Sequence, residues 1–225
     1  MAVRPRRNAR RGRGTRGMPE RWYGIICHAV NRPGRAPIVR DDRARWDARY
    51  AAGDRRHDVG PSPLLARWLP RWPPGRALDV AAGLGRHAVL LARHGWTVDA
   101  VDLSLEGLRI LHRRARGAGV RINLILADAA AFACRSASYD LIVDTFFLDR
   151  RLIPRFWRWL RPGGTLYFET HVANPEAPSP RSRFALRPQE ARRMFARWEI
   201  LDYAEGPETD GSRTIDTARL VARRP

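Results

Sequence analysis

The sequence contains no lysine. All 42 of its Lys/Arg residues are arginine, set against 23 acids, which gives a formal net charge of +19. Such an excess ordinarily points to a polyanionic partner. Total exclusion of lysine, together with abundant alanine, glycine and proline, is however what GC-rich codon usage produces, so the charge alone assigns no partner. Cysteine is almost missing too. Cys27 and Cys134 form no spaced pair, which excludes a disulfide framework and a zinc knuckle, predicts no metal site and fits a reducing compartment. No stretch approaches the roughly 18 consecutive apolar residues of a membrane span. The apolar run Trp22–Val30 is short, is interrupted by His28 and precedes no Ala-x-Ala cleavage pattern, so it does not read as a secretory signal. A cytoplasmic protein is expected.

The 225 residues, 44% of them hydrophobic, suffice for one domain with a real core. Residues 1–17 alternate arginine and glycine (Arg10-Arg11-Gly12-Arg13-Gly14) with little to bury, and read as a disordered tail. Residues 18–40 hold turn formers (Asn31, Pro33, Gly34, Pro37) and no clear period, and stay unassigned; the folded domain is expected over 41–225. It opens with a helix over Asp41–Ala52, capped by Asp41 or Asp42, with Trp46 and Tyr50 on one face. A short helix over Pro63–Trp68 follows. A regular alternation comes next: strand Arg76–Ala81, helix Leu84–His94 stopped by Gly95, strand Thr97–Asp102, helix Leu105–Ala118 with Ser104 as N-cap, and strand Arg121–Ala127. Strand Tyr139–Phe146, helix Leu152–Leu160 stopped by Pro162-Gly163-Gly164, strand Thr165–Thr170 and helix Pro188–Phe195 continue it. Strands Trp198–Glu205 and Thr214–Val221, joined by a turn over Gly206–Ser212, end the chain.

This alternation predicts an α/β fold: a Rossmann-like, doubly wound, mostly parallel seven-stranded sheet with an antiparallel C-terminal edge strand. Ligands of such sheets sit beyond the carboxyl ends of the strands, at the switch in strand order, which the first strand of the alternation should flank.

The turn Leu78-Asp79-Val80-Ala81-Ala82-Gly83-Leu84-Gly85-Arg86 leads from that strand into its helix. Gly83 and Gly85 permit a sharp turn and close backbone approach, and the helix N-terminus offers unpaired N–H groups. Asp102 follows about 20 residues on, where an acid meets ribose hydroxyls. These features suit any adenosine ligand, and Gly83-Leu84-Gly85-Arg86-His87-Ala88 also satisfies the dinucleotide pattern G-x-G-x-x-A. Three features weigh against a dinucleotide. Asp79, inside the strand, would oppose a pyrophosphate but hold the ammonium of a sulfonium amino acid. Asp128, ending the third strand, can accept from an adenine amino group. Arg161-Pro162-Gly163-Gly164 precedes the strand at Thr165.

Together these residues resemble the class I S-adenosylmethionine-dependent methyltransferases, from about Arg43 to the C-terminus. Trp46-Asp47-Ala48-Arg49-Tyr50, Pro61-Ser62-Pro63-Leu64 and Asp79 through His87 look like the opening helix, linker and cofactor loop of the tellurite-resistance-like (TehB-type) branch. That branch usually has Cys, Glu and Asn where this chain has Ala82, Leu84 and His87, which leaves the cofactor implied and the substrate open. The resemblance implies that Ala81, Gly83 and Gly85 line the methionine part of S-adenosyl-L-methionine. It implies further that Asp102 binds its ribose, that Leu103 packs on its adenine, that Asp128 and Ala129 meet the adenine edge, and that Asp144 lies beside the methyl group.

Each of these residues also has an ordinary structural role available. Trp46 and Tyr50 either pack their helix on the domain or cover the cofactor. Asp144 in an apolar strand needs a site or a partner, because an unpaired buried acid is costly. His171, closing its strand at the rim, is the candidate base, with His57 and His87 ranking behind it. Methyl transfer from a sulfonium mainly requires in-line alignment and exclusion of water, so no triad is expected. The expected activity is methyl transfer to a small molecule. The rivals are a nicotinamide-dependent oxidoreductase and an RNA/DNA-binding or nucleic-acid-modifying protein acting through its Arg/Gly tail. No Asn-Pro-Pro-Tyr or Pro-Cys motif of base methyltransferases is present. The acceptor pocket is expected from the N-terminal segment and Val172–Arg187.

Overall fold

Short apolar runs bounded by arginines and turn residues form the strands of one mixed sheet in this computed structural model, which describes residues 25–27, 38–54, 60–174, 184–210 and 213–225. The chain order is β1 (Ile25–Cys27), α1 (Ile38–Ala51), α2 (Pro63–Trp68), β2 (Arg76–Val80), α3 (Arg86–Arg93), β3 (Thr97–Asp102), α4 (Leu105–Gly117) and β4 (Asn123–Leu126). Then come β5 (Tyr139–Thr145), α5 (Ile153–Trp159), β6 (Leu160–His171), α6 (Glu190–Met194), β7 (Glu199–Asp210) and β8 (Arg213–Arg223). Across the sheet the order is β1-β4-β3-β2-β5-β6-β8-β7. Pairing is parallel from β1 to β6 and antiparallel at β6–β8 and β7–β8.

The seven expected strands all form, and β1 adds an eighth from the unassigned segment by pairing with β4. The antiparallel strand, β8, is not itself the edge: it lies between β6 and β7. The crossover through α6 sets β7 one strand away from β6, and β8 returns into the gap. The switch in strand order falls at β2, which β3 and β5 flank.

One sheet face buries Leu78, Val80, Ile142 and Phe168 against Phe156 and Trp159 of α5 and against Phe195 and Trp198. The other buries Ala77, Ala100, Leu141 and Tyr167 against Leu65, Leu91, Leu108 and Leu111 of α2, α3 and α4. Full burial of one such leucine contributes about 1.5–3 kcal/mol. The amino end of the sheet is closed by a paired acid. Buried Asp99 accepts from Arg76 Nη2 (2.8 Å), the Tyr139 hydroxyl (2.9 Å) and Asn123 Nδ2 (2.8 Å), so its charge is fully engaged.

Several boundaries differ from the sequence reading. The first long helix starts at Ile38, which places Asp41 and Asp42 inside it rather than at its cap. Helix α3 starts at Arg86 because Gly85, at φ 81°, is the residue before the first turn. The Pro162-Gly163-Gly164 turn does not stop α5. Leu160 is already extended (φ −70°, ψ 147°), and residues 161–164 bulge within β6, the register stepping from Tyr139↔Leu160 to Leu141↔Thr165. Gly163, at φ 78°, donates its N–H to the Arg224 carbonyl at 2.8 Å. The hairpin strands run through most of the expected turn, to Asp210 and from Arg213. Ser104 does cap α4, accepting from Gly107 N–H at 3.0 Å. The tail reading for residues 1–17 lies outside the described residues.

Candidate cofactor site

The loop after β2 is built on alternate left-handed residues: Ala81 at φ 52°, Gly83 at φ 55° and Gly85 at φ 81°. Alanine rarely adopts this conformation, which costs about 1–2 kcal/mol per residue outside glycine, so the loop is held by its surroundings. Three of its amides are already used. Ala82 N–H donates to the Val101 carbonyl (3.0 Å), Gly85 N–H to the Ala82 carbonyl (2.9 Å), and Gly83 N–H to Asp102 Oδ2 (2.7 Å). The other Asp102 oxygen accepts from Ser104 N–H at 2.7 Å. Asp102 therefore clasps the glycine loop to the start of α4 from the end of β3. Burial raises its pKa to about 6, against the backbone hydrogen bonds that favour its charge and with Asp47 adding to the rise.

The two glycines have different neighbours. A Cβ on Gly85 would lie 2.2 Å from Leu111 Cδ1. Its bare backbone therefore serves the approach of α3 to α4. A Cβ on Gly83 would meet the Tyr50 hydroxyl at 3.1 Å, and one on Gly107 would meet the Tyr50 ring at 3.0 Å. Helix α1 thus lays Tyr50 over the glycine loop. Trp46 packs beside it with ring centroids 5.5 Å apart, and the Arg49 guanidinium lies over Trp46 at 4.3 Å. Asp47 fixes this helix by accepting from Ser104 Oγ (2.5 Å) and Glu106 N–H (3.0 Å) at the positive end of α4. The sequence reading gave Asp47 no role; its position one residue after Trp46 was the only signal.

Two further acids converge on the carboxyl ends. Asp79 and Asp144 are each 1% exposed, and Asp79 Oδ2 and Asp144 Oδ1 have no hydrogen-bond partner in the structure. Val80 pairs with Asp144 across β2 and β5, so the two acids stand on adjacent strands. Burial pushes the Asp79 pKa to about 7, against an N–H bond from Ala88 and with Asp102 adding to the rise. Burial, then the Asp79 and Asp149 charges, holds Asp144 well above the usual carboxylate range. Acids at the amino end of the sheet are ion-paired, whereas these two hold unsatisfied oxygens, as a site awaiting a cation would.

The remaining expected residues are dispersed along the same rim. Leu103 is half-buried beside Asp102. Asp128 lies just beyond β4 and turns Oδ1 onto Ala130 N–H at 2.9 Å. Ala129 is buried in the core with Phe132. His171 closes β6 with its ring 4.8 Å from Phe146, which sits at φ 57° just past β5. A bulky residue in that region is a strained feature of the kind found at ligand sites.

A buried polar chain beside the loop escaped the sequence reading, apart from His87. Ser62 N–H donates to His87 Nε2 at 3.2 Å, which makes Nε2 the acceptor and leaves Nδ1 to donate to Thr145 Oγ1, also at 3.2 Å. Ser62 Oγ bonds the Tyr167 hydroxyl, which donates to Glu169 Oε2 at 2.6 Å. Burial, then the Arg86 charge, pushes the His87 pKa well below its ordinary value, so the ring is neutral. The only trace of this chain in the sequence was polar residues set into apolar strands.

Residues 77–164 match the sequence profile of a methyltransferase domain. Ribosomal RNA small subunit methyltransferase C of Alcanivorax borkumensis is 31% identical over 115 residues, 47% of this chain and 34% of that protein. A ubiquinone biosynthesis O-methyltransferase of Pseudomonas entomophila is 27% identical over 143 residues, 59% of this chain and 60% of that protein. The chain thus spans from about a third to three fifths of these relatives' lengths. TehB of Haemophilus influenzae shares the fold, with a TM-score of 0.65 at 22% identity over 73% of this chain and 63% of that one. Among the described residues no helix is long and apolar enough to cross a membrane. Residues 77–164 are therefore similar to a methyltransferase domain, set on a fold shared with TehB.

Proposed function

We propose that this chain binds S-adenosyl-L-methionine over the Ala81–Gly85 loop and directs its methyl group to a small-molecule acceptor. The observation that carries this reading is the pair of buried, unsatisfied carboxylate oxygens on Asp79 and Asp144, at the switch point of the sheet. A cationic amino acid satisfies them; a pyrophosphate does not. The residues present therefore fit the cofactor. Asp79 takes its ammonium group, Ala81, Gly83 and Gly85 flank the methionine chain, and Asp102, held by its two backbone hydrogen bonds, offers its remaining lone pairs to the ribose hydroxyls. Leu103, Asp128 and Ala129 border the adenine, while Tyr50 and Trp46 cover the loop and keep water out. When bound, the cofactor supplies an electrophilic methyl group on sulfur.

On the acceptor side, Asp144 borders the methyl position and His171 is placed to take a proton from the incoming nucleophile. Residues 172–174 and 184–187 border the acceptor side; the rest of the expected acceptor segments lies outside the described residues. The domain spans 41–225, and the setting is the cytoplasm.

The nicotinamide reading loses its support at the loop. The N–H groups of Gly83 and Gly85, which a dinucleotide's pyrophosphate would need, donate instead to Asp102 and Ala82. Isothermal titration with S-adenosylmethionine, S-adenosylhomocysteine and NAD tests the proposal. Micromolar binding of the first two without the third is expected. A folded chain that binds neither, or that binds NAD instead, overturns it.

A further inference from the structure

Two branches of the buried polar chain end on the same stretch of the sheet rim. In one, Ser62 N–H donates to His87 Nε2, so the neutral ring donates from Nδ1 to Thr145 Oγ1 at 3.2 Å. In the other, the Tyr167 hydroxyl donates to Glu169 Oε2 at 2.6 Å. That bond spends its one proton, so Ser62 Oγ donates to Tyr167. Every bond in the two branches thus has a fixed direction, and two groups are left over. Thr145 keeps its own hydroxyl proton to give, and Glu169 keeps Oε1 to accept. Among the described residues neither group has a partner.

The sheet sets these two groups side by side. Thr145 pairs with Glu169 across β5 and β6, strands about 4.8 Å apart. Both lie two residues beyond Val143 and Tyr167, on the face that packs against α2, α3 and α4. Asp79 of β2 pairs with Val143 on that same face. Outward from the cofactor's acid, the rim therefore presents Thr145, then Glu169, then β8. On β8, Thr217 stands opposite His171, fully buried and with Oγ1 unpartnered. Arg219, opposite Glu169, is ion-paired with Glu208 and keeps a buried Nε–H without a partner. Buried polar atoms in need of partners thus continue from the cofactor loop along one face, where a second reactant would lie.

A donor beside an acceptor defines what fits. A hydroxyl satisfies both, its oxygen accepting from Thr145 and its proton going to Glu169. An ether leaves Glu169 Oε1 unpaired, and an ammonium group gives Thr145 nothing to donate to. A carboxylate meets the charge of Glu169, while the arginine nearby is already matched by Glu208. His171, two residues further along β6 on the same face, addresses the neighbouring atom of the acceptor.

We propose that Thr145 and Glu169 are the specificity-determining pair of the acceptor side. They recognise a neutral acceptor through a hydroxyl next to its nucleophilic oxygen, with His87 and Tyr167 as positioning residues. This rests on the cofactor reading above. In the transfer a bond forms between the acceptor oxygen and the methyl carbon. The carbon–sulfur bond breaks with its electron pair on sulfur, and the acceptor's proton goes to His171.

The test uses the full chain, S-adenosylmethionine and three phenols that share one reacting hydroxyl: catechol, 2-methoxyphenol and 2-hydroxybenzoate. Release of S-adenosylhomocysteine gives kcat and KM, and isothermal titration gives cofactor affinity for each variant. Catechol is expected to exceed both other phenols at least tenfold in kcat/KM, since a site built to hydrogen-bond a hydroxyl rejects analogues without one. Glu169→Gln should bring catechol and 2-hydroxybenzoate to within about threefold of each other. Thr145→Val should raise KM for catechol more than it lowers kcat, and Thr145→Ser should restore KM. A merely structural role would lower activity on all three phenols alike, together with cofactor affinity. Equal kcat/KM on catechol and 2-hydroxybenzoate overturns the proposal, as does an unchanged ratio in Glu169→Gln. Turnover of none of the three by a chain that binds S-adenosylmethionine overturns it too and leaves the cofactor reading standing. Absence of S-adenosylmethionine binding overturns that reading, and the proposal falls with it. If Glu169→Gln does not fold, the parent's preference and the Thr145 variants decide.

Discussion

Asp102 Oδ2 accepts the backbone N–H of Gly83 at 2.7 Å, tying the end of β3 to the glycine loop after β2. With its other oxygen on Ser104 N–H, the one carboxylate sets the loop and holds the N-cap residue of the next helix. Asp102→Asn places an NH2 donor against one of these N–H donors. Loss of a buried, charge-assisted acceptor costs about 1.5–3 kcal/mol. Affinity for S-adenosylmethionine is expected to fall tenfold or more, measured by isothermal titration. Unchanged affinity would leave the clasp without a role in binding.

Proton linkage offers a second measurement. Asp79 and Asp102 have folded-state pKa values raised from 3.8 to about 7 and about 6. The folded chain keeps protons that the unfolded chain has lost, so these groups stabilise fully below about pH 4 and lose that contribution as pH rises toward 7. Asp79→Asn should remove the larger part of this slope and raise the ligand-free melting temperature at pH 8. Bringing the cofactor's positive charge to Asp79 favours the ionised carboxylate. Binding should therefore release protons and strengthen from pH 6 to pH 8, read as buffer-dependent heats in calorimetry.

His87 contributes with the opposite sign. Its folded-state pKa lies well below 6.5, so the stability it contributes is present above pH 6.5 and is lost as pH falls from there. His87→Phe leaves Ser62 N–H without its acceptor, at about 1–3 kcal/mol. The variant should melt lower at pH 8, with the gap to the parent chain narrowing by pH 5. A gap that widens on acidification would contradict the neutral-ring assignment.

The two glycines of the loop should respond differently to alanine. Gly85→Ala drives a Cβ to 2.2 Å from Leu111 Cδ1 at φ 81°, an overpacking typically costing about 1–3 kcal/mol, with strain added. It should lower stability most, seen in urea unfolding. Gly83→Ala meets only the Tyr50 hydroxyl at 3.1 Å and should mainly weaken cofactor binding. Combining it with Tyr50→Phe should recover part of that loss.

The alternation of strands and helices was legible because each element is a run of local sequence with its own period and its own stop. Thr97–Asp102 and Pro63–Trp68 form at the expected residues, and Ser104 caps as its side chain dictates. Strand β1 was not legible: three residues carry no period, and they become a strand only by pairing with β4, about a hundred positions later. The Pro162-Gly163-Gly164 segment read as a helix stop and proved a bulge, because Leu160 had already found a partner in β5. Gly83 and Gly85 read alike, and only the approach of Leu111 to one and Tyr50 to the other separates them.

The sequence by itself determined the α/β alternation, the turning loop after the first strand of that alternation, and the acids placed at successive strand ends, since these depend on neighbours along the chain. Tertiary structure alone decided which acids are spent and which remain. Asp99 is consumed by Arg76, Asn123 and Tyr139, Asp102 is given to the loop, and Asp79 and Asp144 are left with open oxygens. It also joined Ser62 to His87 and Tyr167 across 25 and 105 positions. Charge and hydrogen bonding are settled by distance in space, which the order of residues along the chain does not state.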